Sequence, residues 1–126
     1  MPEEAQKIGA QLAAEYAELV LNREAAVARI SQKHRLKCLS EELMLHRRRL
    51  DKKYGNGSGE AAAEARVSID YLDSQIAEAI GKLAEVAKEV DKMKSDIRHA
   101  ESMYQSRITV FCLHHNLKSR PGSITP

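Results

Sequence analysis

The chain contains no tryptophan, one phenylalanine and four tyrosines, so aromatic residues make up only 4% of its 126 positions. A compact domain of this length usually fills its core with several large rings. The near absence of rings argues against that kind of core. Proline is as scarce: Pro2, Pro121 and Pro126 are the only three, and none interrupts the span between Pro2 and Pro121. That span contains no ring that would block a helical hydrogen bond. The two cysteines, Cys38 and Cys112, are too few for a disulfide framework. No apolar run reaches the roughly 18 to 20 residues needed to cross a bilayer. No basic leader followed by an apolar block marks a secretory signal. The expected setting is the cytoplasm or another intracellular reducing compartment, with no membrane span.

What is abundant is Ala, Leu, Ile and Val mixed with charge: 43% hydrophobic and 30% charged residues. This is the composition of long helices and coiled coils. In the second half, Ile69, Ile76, Leu83, Val90, Ile97, Tyr104 and Phe111 recur every seventh residue. Leu72, Ala79, Val86, Met93 and Ala100 follow three residues after the first five. Such an a/d heptad specifies a left-handed coiled coil. The d position turns polar at Arg107 and His114, and Ile80, Ala87 and Ile108 widen the stripe on its e side.

The first half is helical with a less regular pattern. Pro2, Glu3 and Glu4 suit a helix start. Ile8, Leu12, Tyr16, Leu19, Val20, Val27 and Ile30 lie within an arc of about 120° on a helical wheel. Leu36, Leu39, Leu43 and Leu50 form a narrower stripe on another side. The six-residue step from Ile30 to Leu36 implies a register slip within Ser31–Arg35.

Gly55-Asn56-Gly57-Ser58-Gly59 is the strong helix breaker, with Ser58 or Gly59 suited to cap a helix beginning at Glu60. The same glycine-rich run has the composition of an inserted linker standing for a longer native segment. Helices of similar length joined by a short loop become antiparallel neighbours. The expectation is an all-α fold: a long antiparallel coiled-coil hairpin occupying residues 1–118, with helices 3–54 and 60–117, a turn at 55–59 and a flexible tail at 119–126. The pairing of charge agrees. Residues 29–53 hold nine Lys/Arg against three Asp/Glu, and residues 60–85 hold two against six. Residues 1–28 hold two against five, and residues 86–126 hold seven against four. Folding back at the glycines sets each segment beside its opposite sign, which selects orientation more than it adds energy. In that arrangement Cys38 and Cys112 fall about 50 Å apart, too far for a disulfide.

A single pair of helices buries a thin seam, so the excess apolar width predicts two hairpins forming a four-helix bundle, or one packing on a partner protein. The expected partner-binding seam is Ile8, Leu12, Tyr16, Leu19, Val20, Val27, Ile30, Ile69, Ile76, Leu83, Val90, Ile97, Tyr104 and Phe111. The expected function is a non-enzymatic assembly or tethering module acting through protein–protein contact, with self or another protein. The alternative is a polyanion site, for nucleic acid or an anionic membrane, on Lys33, Arg35, Lys37, Arg47, Arg48, Arg49, Lys52 and Lys53. No aromatics interleave there to stack bases, and the net charge of the chain is only +2.

No catalytic residue, cofactor site or metal site is expected. Cys112 and His115 lie three residues apart, but two ligands do not make a zinc centre. No glycine-rich loop with a following Lys-Ser/Thr exists to cradle phosphate. Glu85, Lys88, Glu89 and Lys92 are solvated helical ion pairs in spacing, not an acid–base dyad.

Overall fold

A computed structural model describes residues 3–115. Two long helices, α1 (Glu3–Tyr54) and α2 (Glu60–His114), pack against each other as a hairpin, with no strand among the described residues. The final residues expected in the second helix, 116 and 117, and the tail 119–126 lie outside the described residues.

Both helices carry charge suited to the backbone dipole. Glu3 and Glu4 stand in the first turn of α1, Lys52 and Lys53 in its last, and Glu60 opens α2. The turn between them needs glycine in two places. A Cβ on Gly55 would run into the Asp51 carbonyl, which accepts a bond from the Gly55 amide at 2.7 Å. Gly59 has φ +105°, a left-handed conformation that side chains resist. From there its carbonyl accepts the first bond of α2, from the Ala63 amide at 3.0 Å, so Gly59 is the residue that caps the helix. Arg66 closes the loop by donating to the Gly57 carbonyl at 2.7 Å.

The hairpin divides into two compact units: residues 3–28 with 91–115, and Arg29–Val90. In the first unit, Ala5, Leu12, Leu19, Tyr104, Ile108, Phe111 and Cys112 form one buried cluster, with Ile8, Tyr16 and Ala100 packed against it. Tyr104 is 1% exposed and Ile108 fully enclosed. Burying a side chain of this size is worth roughly 1.5 to 3 kcal/mol. The rings of Tyr16 and Tyr104 meet at 5.9 Å in a tilted arrangement. Here the seam of α2 departs from the strict heptad. Ile108, four residues after Tyr104, takes the inward position, and Arg107 stays exposed. A four-residue step of this kind is a local stutter.

The second unit has a leaner interior. Its buried side chains are Ala62, Ala65, Ile69, Leu72, Ala79, Val86 and Val90 from α2, with Ser40 from α1. Along α1, Lys33, Leu36, Leu43, Arg47, Leu50 and Tyr54 are half-buried. The register slip expected at Ser31–Arg35 is absent. Helix α1 is continuous, and Ala5, Leu12, Leu19, Ala26, Lys33, Ser40, Arg47 and Tyr54, one every seventh residue, are buried or half-buried throughout. The apparent change of face arises because polar Lys33, Ser40 and Arg47 hold seam positions where the sequence pattern looks for apolar residues. Ser40 satisfies its hydroxyl by donating to the Lys37 carbonyl at 2.8 Å.

Candidate interaction surfaces

The expected seam residues separate into three groups. Leu12, Leu19, Ile69, Val90, Tyr104 and Phe111 are buried, and Ile8, Tyr16, Val20, Ile76, Leu83 and Ile97 are half-buried. All twelve are covered to some degree within the chain itself. Val27 and Ile30 are exposed, so they belong to outer surface and not to the interior of the hairpin.

Within the first unit an open groove of about 370 Å³ is lined by Ile8, Leu12, Val110 and Phe111, and rimmed by Glu15, Arg107 and His115. Val110 is 65% exposed, and Leu113, a turn further on, is 78% exposed. The groove exists because α2 shifts its seam to Ile108: the next apolar residue, Val110, is rotated out of the interior while Phe111 remains in. Arg107 and Glu15 form an ion pair at the rim. A second groove, of about 410 Å³, is lined by Leu19, Ala100, Met103 and Tyr104, with Glu18 and His99 at its edges. The first unit also holds Arg23, which donates to Glu101 from two nitrogens at 2.8 and 2.9 Å. Burial, chiefly, pushes the Tyr104 phenol above its ordinary pKa, with Tyr16, Glu15 and Cys112 adding to the effect.

In the second unit, Arg35, Lys37, Arg48, Arg49, Lys52 and Lys53 are exposed, while Lys33 and Arg47 are half-buried at the seam. Arg47 donates to Asp73 at 2.6 Å, and that hydrogen bond, with the carboxylate's charge, raises the guanidinium pKa. Arg29 approaches Glu89 at 3.4 Å. Arg47 with Asp73 and Glu15 with Arg107 join segments of opposite net charge, as the fold-back implies; Arg23 with Glu101 runs against the signs of its segments, and Arg29 with Glu89 joins two segments that are both net positive. Among the described residues the remaining basic side chains of this face make no ion pair. Arg47 is thus held in an ion pair between the helices, while Arg35, Lys37, Arg48, Arg49, Lys52 and Lys53 make up the exposed part of the basic face.

Cys112 is buried, and the His115 ring packs at a tilt against Phe111 with centroids 4.7 Å apart, so this spacing is occupied by packing. A different pair was missed. On the exposed side of α1, Cys38 Sγ lies 3.6 Å from His34 Nε2. The spacing of four residues was available in the sequence, but only the side-chain rotamers bring the two atoms together. No disulfide joins Cys38 and Cys112. Among the described residues, no group of three or more His, Cys, Asp or Glu in this single chain is arranged to hold a metal ion, and no helix is long and apolar enough to cross a membrane.

No protein-family model, curated protein or solved structure matches the chain.

Proposed function

We propose that the chain is a non-enzymatic assembly or tethering module that binds protein, its own copies included, through helix faces the hairpin leaves open. The observation that carries this reading is the apolar groove at Ile8, Leu12, Val110 and Phe111, flanked by the exposed Leu113. Single exposed apolar residues are ordinary on protein surfaces, whereas contiguous apolar patches mark contact sites. Amphipathic helices recognise one another by laying such faces together. A four-helix bundle of two hairpins, or one hairpin on a partner's helices, would cover the groove.

Sedimentation across a wide range of concentration tests self-assembly, starting from the 14.1 kDa single chain. Wild type is expected to associate. Val110→Asp should raise the dissociation constant at least tenfold with helicity unchanged, because Val110 contributes nothing to the buried cluster. A strict monomer at every concentration removes the self-assembly reading.

The exposed cations Arg35, Arg48, Arg49, Lys52 and Lys53 favour a second reading, binding of a polyanion along α1. Such binding would weaken steeply with salt. Reversing Arg48 and Arg49 to Glu should abolish retention on heparin, and an unchanged elution profile would sink this reading.

A further inference from the structure

The outer surface of α1 carries a second stripe at seam spacing. Ser31, His34, Cys38, Glu41 and Leu45 follow one another at intervals of three and four residues, and all five are exposed. At its centre stand the two soft donors, with Cys38 Sγ and His34 Nε2 3.6 Å apart. A tetrahedral zinc ion with Zn–S of about 2.3 Å and Zn–N of about 2.0 to 2.1 Å requires its sulfur and nitrogen ligands to lie about 3.6 Å from each other. The two atoms are therefore already spaced as adjacent ligands of one ion. Ligands at i and i+4 on a helix are a recurrent way to present two donors to a single metal. Two are half the number a closed zinc site needs, and no third ligand among the described residues of this chain joins them.

We propose that His34 and Cys38 are a zinc half-site, completed by His34 and Cys38 of a second copy of this chain. A two-fold axis passing midway between the two residues sets antiparallel α1 helices face to face. It brings His34 opposite Cys38 of the second copy, and Ser31 opposite Glu41, where a hydroxyl can donate to a carboxylate. Four ligands, two sulfur and two nitrogen, then surround one point. In the metal-free chain the Cys38 thiol can donate to the Nε2 lone pair; zinc takes the place of that shared proton. Each Cys38 loses its thiol proton to solvent, so one Zn²⁺ binds two thiolates and two neutral imidazoles with release of two protons. The resulting centre has no net charge, which removes the repulsion that the neighbouring Lys33, Arg35 and Lys37 would exert on a bare cation.

The proposal does not depend on the apolar groove: the mass in EDTA reports that surface, and the increment on adding zinc reports this one. The reduced 126-residue chain is titrated with Zn²⁺, and with Co²⁺ as a spectroscopic substitute, while its mass is followed by sedimentation. The expected result is one metal per two chains, a doubling of the EDTA mass, and thiolate-to-cobalt absorption with the intense visible bands of a tetrahedral ion. Cys38→Ser and His34→Gln should each abolish all three. Both residues are exposed, so each variant should keep its helices, which circular dichroism checks. Cys112→Ser should change nothing. Absence of the thiolate–cobalt band, metal bound without mass doubling, or a signal that survives Cys38→Ser overturns the proposal.

Discussion

The two units of the hairpin use the same helical repeat to different ends. Residues 3–28 and 91–115 place large side chains at the seam: Leu12 and Leu19 meet Tyr104, Ile108 and Phe111 in a single enclosed cluster. Residues 29–90 place Ala62, Ala65, Ala79 and Ser40 at buried positions, with Lys33 and Arg47 half-buried beside them. Both are continuous coiled-coil geometry. A heptad fixes which residues face the partner helix, but the volume and polarity of those residues decide how much free energy the contact supplies. Alanines make up much of the buried seam in the second unit, while large side chains fill that of the first.

Cavity formation should separate the units most. Ile108→Ala removes three methyl-sized groups from a fully enclosed position and should cost about 3 to 4 kcal/mol in urea denaturation. Leu72→Ala, in the leaner seam, should cost nearer 2 kcal/mol because its small neighbours can close on the space. Equal losses would break the contrast.

A smaller effect should follow pH. The folded-state pKa of Tyr104 is raised, by burial first and then by Tyr16, Glu15 and Cys112. The unfolded phenol ionises near 10, so its contribution to stability is intact below that value. It is lost as pH rises through the folded-state pKa. Denaturation midpoints between pH 8 and 11 should fall for the wild type and fall less for Tyr104→Phe. Parallel curves would mean that other groups, lysines among them, carry the alkaline loss.

The smallest change tests the second unit's seam directly. Ser40 bonds back to its own helix at the Lys37 carbonyl and nothing crosses to the other helix. Ser40→Ala removes that competing bond and gains helix propensity, so it should stabilise by about 0.5 kcal/mol. Destabilisation would show that the hydroxyl does more than satisfy itself.

Much of the fold is legible along the chain. The glycines at 55–59, the repeat from Ile69 to Phe111 and the absence of internal proline suffice for two helices and one turn. The first arm was harder to read, since a pattern search for apolar residues passes over Lys33, Ser40 and Arg47 and shifts to Leu36, Leu39 and Leu43. The candidate surfaces were less legible still. Val27 and Ile30 share an apolar arc with buried residues, and the arc alone does not say where the partner helix ends. His34 and Cys38 were visible as residues four apart, yet unremarkable among five histidines and two cysteines.

The sequence by itself therefore determined the two helices, the turn and the antiparallel sense, because periodicity, propensity and net charge are local or additive quantities. Tertiary structure alone decided that polar residues occupy part of the α1 seam, and that a thiol and an imidazole stand at ligand spacing. Those outcomes depend on where a second helix lies and which rotamers it leaves open, and no window along one chain contains that information.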